Sequence, residues 1–188
     1  NTNADYFRKI VSNNILTAIE KYRTSIYDDL YFKIWEKDNV INSSAFKYLI
    51  KVDSVRSKNL ALGSLKITNE LDNSDLIIVD MLNFIIEKDT INSIELLADR
   101  IKNQSVHNFG YFSEACQKIK HQKITEALFN RLKDATNGHI YTEIVATLVS
   151  YNDKIINRIL LKVVPVNTNI EGWGKDRVEK IMRRITNY

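Results

Sequence analysis

Breakers and sulfur are scarce in this chain: one cysteine, one proline and five glycines in 188 residues. The lone thiol, Cys116, excludes an intramolecular disulfide and a thiolate metal cluster, and it suits a reducing compartment. Pro165 and the five glycines are too few for an all-β protein built on tight turns. The three histidines, His107, His121 and His139, follow no metal-ligand spacing, so neither a metal nor a cofactor is expected. No GxGxxG, GxxxxGK[ST] or GxSxG occurs, which removes support for nucleotide binding and for α/β-hydrolase chemistry. No residue is assigned a catalytic role, and a non-enzymatic protein is expected. No apolar run approaches the roughly 20 residues of a membrane span. Residues 1–20 alternate apolar with Asn, Asp, Arg, Lys and Ser, unlike a secretory leader. A cytoplasmic, non-membrane protein is the expectation.

The most hydrophobic stretch is Leu76 to Ile86, LIIVDMLNFII, in which only Asp80 and Asn83 are polar. Ser74 is a candidate N-cap with Asp75 behind it, where the helix dipole favours negative charge. Asp80, Asn83 and Glu87 fall three and four apart, on one stripe of a helix. A helix apolar on its other faces is expected at the centre of a helical domain. Helices are also predicted over residues 4–23 and from about 25 to 37, the latter with an apolar face of Ile26, Leu30 and Ile34. Further helices follow Ser43 or Ser44, Asp53 or Ser54, and Thr90. The last five are predicted at Phe109–Lys120, Ile124–Ala135, Tyr141–Tyr151, Lys154–Val164 and Lys175–Ile185. The short polar connections make neighbours antiparallel, within a single all-α domain spanning 1–188.

A repeat of 31 residues runs through the second half. Glu95, Leu97, Arg100, Ile101 and Lys102 match Glu126, Leu128, Arg131, Leu132 and Lys133, and Ile124, Leu128 and Leu132 then fall on Ile155, Ile159 and Val163. Over residues 75–164 this resembles a HEAT-like or armadillo-like repeat. The resemblance implies antiparallel helical hairpins stacked as a short α-solenoid, with a compact helical bundle as the alternative.

Charge is segregated along the chain. Residues 70–99 hold eight acids against Lys88 alone, and residues 100–188 hold fifteen Lys and Arg against eight Asp and Glu. Such asymmetry speaks to partners. Asp72, Asp75, Asp80, Asn83, Glu87, Glu95 and Asp99 are the candidate partner-binding residues. Trp173, between two glycines in an expected loop, joins them. The basic half, with Lys118, Lys120, Lys123, Lys175, Arg177, Lys180, Arg183 and Arg184, suits phosphate tracking.

Size, AT-rich amino-acid usage, absence of catalytic motifs and a charge-segregated helical surface together resemble, in type, the immunity proteins of bacterial toxin–immunity systems. That resemblance implies a protein partner, a cognate toxin, bound and neutralised through the acidic residues. The net charge of +4 points the other way for an inhibitor of a nuclease. The rival expectation is nucleic-acid binding through the basic C-terminal half, as in alkylpurine DNA glycosylases of HEAT-like architecture. An adaptor with no inhibitory role is the third.

Overall fold

The computed structural model describes residue 14 and residues 27–39, 41–67, 75–104, 106–164 and 172–186. Among these residues the regular elements are all helical, as expected. They are α1 (Asp28–Asp38), α2 (Ser43–Val52), α3 (Ser54–Lys66), α4 (Asp75–Lys88), α5 (Thr90–Asn103), α6 (Val106–Gln117), α7 (Gln122–Asp134), α8 (Gly138–Ser150), α9 (Lys154–Val163) and α10 (Gly172–Thr186). The helix expected at 4–23 lies, apart from residue 14, outside the described residues, as do Ser74 and Pro165. The chain forms two compact units, Asn1–Thr90 and Ile91–Tyr188. Within each, most packing joins helices close in sequence, consistent with stacked helical hairpins.

In the first unit, aromatic and aliphatic side chains share the core. Tyr31, Phe32 and Trp35 of α1, Phe46 and Leu49 of α2, Leu65 of α3, and Ile77, Met81, Leu82 and Ile85 of α4 are all buried. Phe46 meets the Trp35 and Phe84 rings edge-on, at centroid separations of 5.7 and 5.5 Å, the geometry aromatic quadrupoles favour. Of the face expected for α1, Ile34 is buried, Leu30 is exposed and Ile26 lies outside the described residues; beside Ile34 the helix turns Tyr31, Phe32 and Trp35 inward in place of Leu30. The larger buried area of Trp and Tyr decides that choice. Of the face expected for α3, Val55, Leu60, Leu62, Leu65 and Ile67, Leu65 is buried and Leu60 and Leu62 are half-buried, while Val55 and, just past the helix, Ile67 are exposed; Ser57, Ala61 and Ser64 join Leu65 on the inner face. Small residues let α3 approach closely, and Ser64 Oγ accepts the Trp35 indole N–H at 2.9 Å. Helix α4 packs on α2 and α3.

The second unit is organised around α8, on which α6, α7, α9 and α10 all pack. Its sequence, GHIYTEIVATLVS, buries Ile140, Tyr141, Ile144, Val145 and Leu148. Asn137 opens it, its side chain accepting the His139 and Ile140 N–H groups at 3.0 and 3.2 Å. Between α6 and α8 the Ser113 and Thr147 hydroxyls lie 2.7 Å apart in the core, each with a further carbonyl partner. The Tyr151 hydroxyl donates to the Cys116 carbonyl at 2.9 Å. Asn152 then takes a left-handed φ of 49°, which Asn tolerates better than most residues.

The turn at Asn152 sets the register of α9, and here the 31-residue repeat misleads. It puts Ile155, Ile159 and Val163 in the core, but Ile156, Leu160 and Val164 are buried instead, while Ile155 is 73% exposed and Ile159 39% exposed. The caps supply the reason. Asp153 caps α9 and His121 caps α7. Counted from these N-caps, the two helices bury the same three positions: Ile124, Leu128 and Leu132 on α7, Ile156, Leu160 and Val164 on α9. The capping residue fixes where the helical phase begins, and it falls one residue later than the repeat implies. Helix α10 also starts early, at Gly172, so Trp173 lies in its first turn and not in a loop. Helix α6 spans Val106–Gln117 where Phe109–Lys120 was expected.

Candidate functional site

Take the acidic residues first. Asp72 lies outside the described residues, and Asp75 is the first residue of α4, its side chain outside them. Asp80 is half-buried. It accepts a hydrogen bond from the Ser43 hydroxyl of α2 and sits 3.1 Å from Lys47 Nζ of the same helix. A carboxylate on an otherwise apolar helix needs such partners, because burial alone costs several kcal/mol. Asp80 therefore ties α2 to α4. One and two turns on, Asn83 and Glu87 are exposed on the same stripe, and Lys88 Nζ lies 2.6 Å from Glu87. Asp89, just beyond α4, is 2.8 Å from Lys58 Nζ of α3.

On α5, Glu95 pairs with Lys123 of α7, and Asp99 accepts from the Asn103 amide at 2.8 Å. Both are exposed. Asp80, Asn83 and Glu87 thus share one helix stripe, and Glu95 and Asp99 share another. The side chain of Trp173 lies outside the described residues.

A second feature lies wholly within the second unit. Helices α7 and α9 both rest on α8 and leave an open groove between them, lined by Thr125, Phe129 and Asn130 from α7 and by Ile155, Ile156 and Ile159 from α9. The exposed isoleucines form its α9 wall. Beyond them, Lys154, Arg158 and Lys162 form an exposed row at a spacing of four, and none of the three enters an ion pair among the described residues. Of the two carboxylates that line the groove, Asp153 is paired with a base and Glu126 is bonded only to a neutral amide. Asp153 lies 2.6 Å from Lys120 Nζ and accepts the Ile155 and Ile156 N–H groups at 2.8 and 3.0 Å. The bond from Lys120, reinforced by those two backbone N–H groups, pulls the Asp153 carboxyl down to about 2. Glu126 accepts from the Gln122 amide at 2.7 Å.

Comparison of the chain with family models, with curated proteins and with solved structures finds no match. Geometry and charge therefore carry the functional argument.

Cys116 is fully buried, and burial pushes its thiol far above the ordinary range, the reverse of an activated nucleophile. His121 serves as the α7 N-cap, its Nδ1 accepting from the Lys123 N–H at 3.2 Å. Among the described residues no three His, Cys, Asp or Glu side chains gather where they could hold a metal. No helix among them is long and apolar enough to cross a membrane.

The groove residues were absent from the sequence-based candidates, because the 31-residue period assigns Ile155 and Ile159 to the core. One signal was present. Ile155, Ile156, Ile159, Leu160, Leu161 and Val163 make six of the ten residues of α9 apolar, more than one inward stripe accommodates.

Proposed function

We propose that this chain is a non-enzymatic protein-binding module, in the role of an immunity protein that neutralises a cognate toxin, and that the α7–α9 groove is its principal contact surface. The supporting observation is the pair Ile155 and Ile159, 73% and 39% exposed beside Phe129 in that groove. Leaving large aliphatic side chains in water forgoes about 1.5–3 kcal/mol each relative to full burial, and a partner's apolar surface recovers part of it. Exposed apolar side chains with a polar rim are what protein partners cover. Of the acidic residues, Glu87, Glu95 and Asp99 are exposed, with Lys88, Lys123 and Asn103 as their surface partners, and they are the ones placed for a secondary contact with a basic surface. Asp80 is committed to α2, so reversing its charge acts on the fold. The single cysteine suits a reducing bacterial cytoplasm.

The direct test is co-expression with the protein encoded beside this chain. A stable complex, weakened at least about tenfold by Ile155→Glu with Ile159→Glu, supports the proposal. No complex, or one indifferent to both changes, sinks it.

Helix α10 favours a second reading. Lys175, Arg177, Lys180, Arg183 and Arg184 are exposed there against Asp176 and Glu179, and none of the seven is in an ion pair among the described residues. A basic helix face of this kind suits duplex nucleic acid. Binding that falls steeply with salt and is lost on reversing the α10 bases would favour it.

A further inference from the structure

From the charge around the groove we infer the chemistry of its occupant: an amphipathic helix of a partner protein, apolar on one face and acidic along the flank that meets α9. This rests on the reading of the groove as a protein-binding site. Two helix walls carrying Phe129, Ile155, Ile156 and Ile159 suit the helix-in-groove arrangement, recognised through anchors at i, i+3 or i+4. Ile155 and Ile159 lie one turn apart, about 6 Å along the axis, which matches that spacing.

The rim decides the sign. Lys154, Arg158 and Lys162 run for about 12 Å along the outer edge of α9, exposed and without an ion pair among the described residues. Asp153 and Glu126, the nearby carboxylates, are bonded to Lys120 and Gln122. Lys120 answers Asp153, the neutral Gln122 amide leaves the Glu126 charge in place, and three bases against that one carboxylate leave the groove positive on balance. A helix of about three turns with Asp or Glu at i, i+4 and i+8 meets all three bases while its apolar face covers the isoleucines.

Other occupants fit less well. A second copy docking α9 on α9 would set two basic rows against each other. Duplex DNA would answer the bases and leave Ile155 and Ile159 uncovered.

The experiment pans a display library of helical peptides, with fixed leucines and randomised flanks, against the full chain. Two variants run beside it: Lys154→Glu/Arg158→Glu/Lys162→Glu, and Ile155→Glu/Ile159→Glu. All five positions but Ile159 are well exposed, and circular dichroism verifies that each variant folds. The expected result is enrichment of Asp and Glu on one flank with the parent chain. The charge-reversed variant should enrich Lys and Arg, and the isoleucine variant nothing. The best acidic peptide should bind at least about tenfold more weakly to the charge-reversed chain, and more weakly as salt rises.

Enrichment with no flank preference, yet lost in the isoleucine variant, overturns the acidic-helix inference and leaves the groove as a protein site. No enrichment, or enrichment indifferent to Ile155 and Ile159, overturns both. Self-association that Ile155→Glu abolishes makes a second copy the occupant. Duplex DNA bound through the three bases, with the isoleucines irrelevant, makes it nucleic acid. Either result overturns the inference.

Discussion

On α4, Asp80, Asn83 and Glu87 stand on one stripe, and on α9, Lys154, Arg158 and Lys162 do the same at nearly the same spacing. Their surroundings differ. Across from the α4 stripe, within the first unit, α2 supplies Ser43 and Lys47, so its leading carboxylate fastens two helices together. Nothing among the described residues pairs with the α9 row, which borders an exposed apolar strip. A run of charge in sequence thus says little about charge available to a partner. What matters is whether the facing element supplies the counter-charge, and that differs between two helices of similar pattern.

The difference between the two helices rests most heavily on the register of α9. Leu160 is fully buried and Ile155 is 73% exposed. Leu160→Ala should cost about 2–5 kcal/mol, the range for emptying a core site, and Ile155→Ala should stay within about 0.5 kcal/mol. Denaturant unfolding measures both. Equal costs would mean that Ile155 is a core residue and that the apolar strip does not exist.

A smaller effect is expected on α4. Asp80→Ala should lower stability by about 1–2 kcal/mol, the worth of a part-buried, charge-assisted hydrogen bond. Lys47 adds little, since its side chain is 61% exposed. In a double-mutant cycle with Ser43→Ala the coupling should exceed about 0.5 kcal/mol. Additive losses would return Asp80 to the set of residues open to a partner.

Smallest is a pH effect at the start of α9. Asp153 has its carboxyl lowered from 3.8 to about 2, first by Lys120 and then by the Ile156 and Ile155 N–H groups. A carboxyl depressed in the folded state contributes stability that is complete above its unfolded value. That stability is lost as pH falls from about 4 towards 2. Asp153→Asn should therefore flatten the acid limb of the stability curve in that window alone. An unchanged limb in urea titrations would show that Asp153 is no better held when folded than when unfolded.

Much of the fold was legible. Thr90 as the start of α5 and Asp53 as the cap of α3 follow from local rules, and both are found; of the face expected for α5, Ile91, Ile94, Leu97, Ala98 and Ile101, the last three are buried, Ile94 is half-buried and Ile91 is exposed. The site was less legible. Ile155 and Ile159 are apolar at helical spacing, and so are Ile156 and Leu160, one position on. Either pair satisfies the periodicity of an isolated helix. The choice is made where Asp153 accepts the first free N–H groups of α9 and α8 offers a surface to cover.

Local composition determined that this chain is helical. Scarce breakers, polar caps and apolar residues at spacings of three and four act over a few residues and need no distant partner. Tertiary structure alone decided which carboxylates are used up, which isoleucines stay in water and which lysines are left unanswered. Those outcomes depend on residues far apart in sequence, Ser43 with Asp80, Lys120 with Asp153, and Phe129 beside Ile159, meeting only once the helices have packed.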